Sequence, residues 1–172
     1  MKKSFLTAAL ILFAANKAMA GDYQVGNLTI ENPIARATPA NAPVSAGYMK
    51  ITNIGTADDQ LIDVQSEFSE RGELHDMIIE DDVMKMRVLE DGIKVPAGES
   101  VLLVPGGLHM MFLGLNEQLV EGEKRSVTVT FEKAGSVELE VDVKGLAAIR
   151  KKLDGAMEMK QHDGHDHSNG TK

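Results

Sequence analysis

Hydrophobic and polar residues alternate over short segments along most of the chain, and turn-forming residues separate these segments. The alternation is clearest at residues 126–131 and 137–143, where a period of two places successive side chains on opposite faces of a strand. Asn, Asp, Gly and Pro interrupt the pattern about every eight to twelve residues, as in proteins built from many short strands. The pattern therefore predicts an all-β sandwich or barrel. Further strands are expected at residues 28–30, 44–54, 61–64, 74–79, 84–89, 101–104 and 108–113.

The N-terminal segment has the three-part pattern of a secretory signal peptide. Lys2 and Lys3 supply a positive start, residues 5–15 are apolar, and residues 18–20 (Ala-Met-Ala) form a small-x-small cleavage site. The apolar run is too short to cross a bilayer. We therefore expect export and a mature chain that starts near Gly21 and does not insert into the membrane. An anchor that is not cleaved is the alternative.

The composition changes again near the C-terminus. Residues 147–153 are expected to form one helical turn, and from Asp154 onward the chain is rich in Met, His, Asp, Gly and Lys. Such a segment cannot bury enough apolar surface to fold alone, so we expect a disordered tail. The predicted division is a signal peptide at 1–20, one β-sandwich domain at 21–150 and a flexible tail at 151–172.

The chain is acidic and has no cysteine. It contains 18 Lys and Arg against 26 Asp and Glu, a formal net charge of −8. Three of the lysines and none of the acids lie in residues 1–20, which leaves a charge of −11 on the remainder. Such a charge repels nucleic acid and anionic lipid, so neither is expected as a partner. The lack of cysteine removes disulfides from the fold and thiolates from any metal site.

The only two histidines before the tail both begin a His-x-Met motif. Residues i and i+2 of a strand share a face, so each motif presents two donors side by side. An acidic turn at residues 80–82 should fold the following Met-x-Met segment back beside the first motif, since neighbours on paired strands lie within ~5 Å at their Cβ atoms. The three motifs are His75-x-Met77, Met84-x-Met86 and His109-x-Met111.

This donor set favours a soft, monovalent metal ion. Thioether sulfur is soft and neutral and suits Cu(I) better than Zn, Mg, Ca or Mn, and neutral imidazole suits copper as well. A site of two imidazoles and two thioethers brings no ligand charge, which disfavours hard dications. We therefore predict Cu(I). An electron-transfer site of the blue-copper kind is not expected, because it needs a cysteine ligand.

Other functions remain as alternatives to a copper carrier. Methionine also fills gaps in cores, so the motifs could simply pack in a β-sandwich interaction module that binds no metal. The sequence has no Ser-His-Asp order, evident carboxylate pair or phosphate-binding loop, and no enzymatic activity is expected. A copper buffer without a dedicated acceptor is left open beside a chaperone, and the sequence does not fix the oligomeric state.

The same residues resemble the periplasmic copper chaperones of the PCu(A)C type, whose pattern is a His, a gap, a Met, a longer gap and His-x-Met. Here ten residues separate His75 from Met86, and twenty-two separate Met86 from His109, one more than in the family pattern. The resemblance extends over most of the mature body, including residues 72–87, 95–115 and 127–143. It implies a cupredoxin-like Greek-key β-sandwich or barrel in the periplasm of a Gram-negative type cell.

The resemblance also implies a ligand set and a role. The implied Cu(I) ligands are His75, Met86, His109 and Met111, with Met77 as an additional or alternative donor and Met84 as a competitor of Met86. The implied role is transfer of copper to an acceptor protein, such as a cytochrome c oxidase subunit or another copper chaperone.

The tail carries a second set of metal donors, which are Met157, Met159, His162, His165 and His167. Closely spaced imidazoles with aspartates between them suit Cu(II) better than the motifs of the body do. Our hypothesis is that the tail collects Cu(II) or Cu(I) and raises its concentration near the body site, as a tethered module would.

Overall fold

The computed structural model describes residues 22–152, which form eleven strands and one helix at residues 146–152. The helical turn expected at 147–153 thus begins one residue earlier. The predicted signal peptide and residues 153–172 of the predicted tail lie outside the described residues, whereas Lys151 and Lys152, assigned to the tail, belong to the helix. The strands are β1 (Asp22–Val25), β2 (Leu28–Arg36), β3 (Val44–Asn53), β4 (Asp59–Ser66), β5 (Ser69–Glu80), β6 (Val83–Val88), β7 (Ile93–Val95), β8 (Ser100–Leu103), β9 (His109–Leu115), β10 (Lys124–Phe131) and β11 (Gly135–Lys144).

The strands form one continuous sheet in the order β6-β5-β9-β3-β2-β11-β10-β4-β7. β1 adds to β2 and β8 adds to β3, and the contact of β11 with β2 is parallel, whereas the other ladders are antiparallel. The all-β prediction is confirmed. Two short strands, β1 and β7, were not expected, because segments of three or four residues give too little alternation to recognise.

The sheet curls so that its two halves share one core. The inward positions of β2, β3, β4, β5, β9, β10 and β11 all contribute to a single buried cluster, which alternates along each strand with more exposed residues. Phe68 and Phe112 meet edge to face at 4.9 Å within it. Gly72 marks a close approach, since a Cβ atom there would lie 2.2 Å from the carbonyl oxygen of Val64. β5 therefore passes directly against β4, just before the segment that carries the first His-x-Met motif.

Asn32 and Pro33 lie within a strand, although an Asn-Pro pair is more typical of a turn. β2 continues through both residues, with a register shift against β3 between Glu31 and Ile34 and a φ of 53° at Asn32. A bulge of this kind accommodates proline, which has no N–H to give to the ladder.

The hairpin of β5 and β6 forms one edge of the sheet. Glu80 pairs with Val83, and the two residues between them, Asp81 and Asp82, have φ values of 53° and 60°. Two successive left-handed residues make the tight turn whose twist matches paired antiparallel strands, and Asp tolerates that conformation. The turn thereby fixes which residues of β5 and β6 face each other.

The helix covers part of the outer face of the sheet. Ile149 is buried against Ile34 and Tyr48, which form a small cluster apart from the main core. Within residues 22–152 no helix has the length and apolar character needed to span a membrane.

Candidate metal centre

Five histidine and methionine side chains share the outer face of the sheet where β6, β5 and β9 run side by side. His75 pairs directly with His109 across β5 and β9, and Met77 pairs with Met86 across β5 and β6. Met111 follows His109 by two residues and lies on the same face. The pairing brings together residues that are far apart in sequence, with the two imidazole rings 5.6 Å apart between centroids.

The opposite face of the same strands belongs to the core. Leu74 and Met110 pair across β5 and β9 one position away from the histidines, and both are buried in the main cluster. Met49 is also buried there. These side chains anchor the strands, so the donors on the outer face sit on a rigid support rather than on a loop.

The ring of His109 is held by its own chain. Its Nδ1 donates a hydrogen bond to the carbonyl oxygen of Gly107 at 2.9 Å. A carbonyl only accepts, so Nδ1 carries the proton and Nε2 keeps its lone pair. Burial lowers the pKa of His109 below its usual range, against the bond to Gly107, which raises it. The ring is therefore neutral at pH 7 and has one nitrogen free to bind a metal.

The ring of His75 is held by a carboxylate. Its Nε2 lies 2.7 Å from Oε2 of Glu73, and the other oxygen of this carboxylate, Oε1, forms a salt bridge with Nε of Arg71 at 3.1 Å. An ionised carboxylate accepts, so Nε2 carries the proton and the lone pair is at Nδ1. Within the described residues Nδ1 is buried and has no hydrogen-bond partner. A buried lone pair without a donor is costly, and a bound cation would satisfy it.

Glu73 was not identified from the sequence. It lies on the outer face with His75, two residues away, and is paired with Met111 of β9. A carboxylate that accepts from one nitrogen of a metal-binding imidazole fixes the tautomer and the ring orientation. The Glu-x-His spacing in a predicted strand was the available indication, since it implies a shared face.

A pocket of about 440 Å³ opens beside these residues. Met77, Met86, His109 and Met111 are among the residues that line it. Met84 does not line it. Met84 pairs with Ile79, which is two residues beyond Met77 toward the hairpin turn. Of the two competing methionines of β6, Met86 therefore shares the pocket with Met77, His109 and Met111, whereas His75 is not part of its lining.

The donors differ sharply in exposure. His75 and His109 are 7% and 6% exposed, whereas Met86 is 49% exposed at the edge of the sheet. No group of three or more His, Cys, Asp or Glu side chains within residues 22–152 is arranged to hold a metal ion. The tail donors Met157, Met159, His162, His165 and His167 lie outside the described residues.

Solved structures with the same fold include copper-binding domains. The "Copper-bound PCuAC domain from PmoF2" is 27% identical, with a TM-score of 0.62, and the match covers 72% of this chain and 97% of that domain. The "Apo PCuAC domain from PmoF1" is 26% identical, with the same TM-score, over 72% of this chain and 98% of that domain. CuI-DR1885 from Deinococcus radiodurans is 24% identical, with a TM-score of 0.54 over 76% of this chain and 85% of that chain, and shows the shared fold.

Sequence comparison gives the same grouping. A Leifsonia xyli subsp. xyli (strain CTCB07) protein described as "Putative lipoprotein Lxx21020" is 27% identical over 116 residues, which cover 67% of this chain and 70% of that protein. Residues 28–143 match the family model described as "Putative lipoprotein LpqE-like". Together with the PCuAC structures, this match shows that the chain belongs to the LpqE-like family of PCu(A)C-type copper chaperones.

Proposed function

We propose that this protein is an exported copper chaperone that binds one Cu(I) ion on the outer face of β5, β6 and β9 and transfers it to an acceptor protein. The proposed ligands are Nδ1 of His75, Nε2 of His109 and the thioethers of Met86 and Met111. Met77, which faces Met86, is a further donor to the same ion. The observation that carries the proposal is the pair of facing, buried histidines, each with one nitrogen held by a hydrogen bond and the other available.

The chemistry of the donors supports Cu(I) in particular. All the proposed ligands are neutral, and the sulfur ligands are soft, a combination that suits a monovalent soft ion. The copper-bound PmoF2 domain, which has the same fold, supports copper as the metal. Glu73 also supports the proposal. It contacts Nε2 of His75, and its negative charge favours a cation at the other ring nitrogen, Nδ1.

The exposure of the methionines supports transfer rather than permanent storage. An acceptor could reach Met86 at the exposed edge strand and displace it, while the two nearly buried histidines still hold the ion. Exchange of one ligand at a time avoids releasing a free ion. A copper centre of cytochrome c oxidase, or another copper chaperone, is the kind of acceptor we propose, and export to the periplasm would place the protein where such acceptors are assembled.

The tail is proposed to act as a second, weaker copper site. The helix that precedes it lies against the same pocket, where Leu146 and Arg150 form part of the lining. The tail therefore starts within a few residues of the body site. Its histidines and methionines would collect Cu(II) or Cu(I) and raise the local concentration of copper at the pocket.

An anaerobic Cu(I) competition titration of residues 21–172 tests the ligand set. The Met86→Ala/Met111→Ala variant should bind at least about tenfold more weakly, since two ligands are lost. The Met84→Ala variant is the matched control, because it removes an exposed methionine from the same strand without touching the pocket. It should keep the wild-type affinity.

Two outcomes would overturn parts of the proposal. If Met84→Ala weakens binding and Met86→Ala alone does not, the ligand on β6 is Met84. If the double variant binds as tightly as the wild type while removal of residues 155–172 abolishes binding, the motifs of the body are packing residues and only the tail binds copper.

A further inference from the structure

Two arginines lie at the pocket of the proposed metal site. Arg36 is the last residue of β2, and Arg150 lies in the helix at 146–152. Both line the same pocket as His109 and Met111, and Tyr48 of β3 lies among them. β2 and the helix thus bring together two positive charges that the sequence separates by more than a hundred residues.

Neither arginine is neutralised by the described part of the chain. Within residues 22–152 no carboxylate lies within 4.0 Å of either guanidinium group, and neither donates a hydrogen bond to a side chain or backbone there. By contrast, Arg71, Arg87 and Arg125 each contact a carboxylate. In a chain of net charge −8, two arginines that line one pocket and lack such a contact make a local positive patch.

Tyr48 adds a hydrogen-bond donor to this patch. Its side chain is 4% exposed, packed between Ile34 and Ile149. Burial raises the pKa of the Tyr48 hydroxyl, and the positive charges of Arg36 and Arg150 offset part of that rise. The hydroxyl therefore stays protonated, and both guanidinium groups are near enough to act on it.

We infer that Arg36, Arg150 and Tyr48 form a binding site for the carboxylate group of an organic ligand. Guanidinium groups match the planar, two-oxygen geometry of a carboxylate and bind it through charge-assisted hydrogen bonds. Much of the remaining pocket lining is apolar, including Pro43, Ala46 and Leu146, with the hydroxyl-bearing Thr38 and Ser45 beside them. Such walls favour a carboxylate attached to a carbon chain over a strongly hydrated inorganic anion.

A carboxylate in this pocket would also stabilise the bound ion, a consequence that rests on the proposed function. Four neutral ligands leave the full positive charge on Cu(I), and the nearby arginines repel it. A carboxylate seated on the arginines offsets that repulsion. Carboxylate and Cu(I) should then strengthen each other's binding by the same factor, about fivefold or more.

The binding itself is tested without copper. Succinate is titrated into the copper-free chain of residues 21–172 at constant ionic strength, and the NMR signals of the arginine Nε–H groups and the Tyr48 ring are followed. Signals of Arg36, Arg150 and Tyr48 should shift with one common dissociation constant. The Arg36→Gln/Arg150→Gln variant should bind succinate at least about tenfold more weakly, and Tyr48→Phe should bind severalfold more weakly.

The matched control is Lys94→Gln/Lys151→Gln, which removes the same charge. Both lysines are exposed and outside the pocket lining, and Lys151 is next to Arg150 in the helix. It should bind succinate as the wild type does. An equal loss in this variant, an absence of shifts in the wild type, or equally tight binding of inorganic phosphate would overturn the proposal.

A second experiment distinguishes a carboxylate of the tail from a carboxylate of a separate molecule. The tail contains Asp154, Glu158, Asp163 and Asp166, and a variant with all four changed to Asn or Gln keeps the full chain length. If succinate binds more tightly to this variant, the tail's own carboxylates compete for the pocket and are its natural occupant. If the affinity is unchanged, the occupant is a separate molecule. A Cu(I) titration with and without succinate then tests the coupling, and its failure would leave the carboxylate site intact.

Discussion

The histidine half and the methionine half of the candidate site are built differently. His75 and His109 lie on β5 and β9, strands that are paired on both sides; both residues are nearly buried, and each ring has a hydrogen bond that fixes its orientation. Met86 is half exposed on β6, an edge strand whose residues are all exposed. The histidines are preorganised by the fold, whereas the methionine depends on a hairpin that has a neighbour on one side only.

This difference indicates that the histidines mainly capture the ion and that the methionine mainly controls its release. Imidazoles whose orientation is already fixed lose little conformational entropy on binding and should contribute most of the affinity. A flexible thioether at an open edge loses more entropy and is accessible to a partner, so it should control the rate of exchange. Substitution, acidification and truncation should therefore affect the two halves to different degrees.

Removal of a histidine should have the largest effect. His109→Ala should weaken Cu(I) binding by more than about 100-fold, because loss of a supporting residue alone costs ~10–100-fold in metal sites. Competition titration measures the change, and His162→Gln in the tail is the control. If Met86→Ala weakens equilibrium binding more than His109→Ala does, the proposed division between the two halves is wrong.

Acidification should act on the histidine half. Protons compete with copper for neutral imidazole, and burial lowers the pKa of His109. Its contribution to Cu(I) affinity should therefore hold down to about pH 6.5 and fall at lower pH, by no more than about 30-fold at pH 5. Affinity that does not change from pH 5 to pH 8 would contradict ligation by two histidines.

The same lowered pKa affects the copper-free protein. The unfolded chain binds a proton at the ordinary pKa of histidine, whereas folded His109 resists it until the pH is lower. The unfolded state therefore binds more protons in that window, so the free energy of unfolding falls as pH drops below about 6.5. In the His109→Gln variant this part of the pH dependence should be absent from urea unfolding curves.

Glu73→Gln should have an intermediate effect. The amide can still contact Nε2 of His75 but no longer supplies the negative charge or enforces the tautomer, so Cu(I) affinity should fall by ~10-fold. Nitrogen chemical shifts of the His75 ring report the tautomer directly. Arg71→Gln removes the other contact of Glu73 and serves as the control. An unchanged tautomer and affinity in Glu73→Gln would show that Glu73 does not position the ring.

Shortening the chain after Asp154 should have the smallest effect. Equilibrium affinity of the body site should stay within a factor of about two, while loading at low copper should slow severalfold, because the tail no longer raises the local concentration. Stopped-flow mixing with a copper donor measures the rate. Unchanged loading kinetics would contradict the role proposed for the tail.

The hairpin could be predicted from the sequence, and so could the faces on which its histidine and methionine residues lie. The period of two placed His75 with Met77 and Met84 with Met86 on shared faces, and the acidic turn after residue 79 folded one segment onto the other. The pairing of His75 with His109 needed the register between β5 and β9, which depends on tertiary packing and not on local pattern.

The arginine patch was beyond sequence reasoning altogether. Arg36 and Arg150 share no motif. They line one pocket because the helix packs through Ile149 against Ile34 of β2 and Tyr48 of β3. Glu73 could be predicted in part. Its position on the same face as His75 follows from the alternation of the strand, but its hydrogen bond to His75 does not. The β-bulge at Asn32 depends on the pairing of β2 with β3, which the Asn-Pro sequence, typical of turns, does not reveal.

The most direct test of the central claim is X-ray absorption spectroscopy of the Cu(I)-loaded chain, with the Met86→Ala/Met111→Ala variant and a chain shortened after Asp154 measured beside it. The proposal predicts nitrogen and sulfur neighbours around copper in the wild type and in the shortened chain, and a clear loss of sulfur in the methionine variant. A copper environment of nitrogen and oxygen only in the wild type, or sulfur that disappears with the tail and not with the two methionines, would contradict a copper site on β5, β6 and β9.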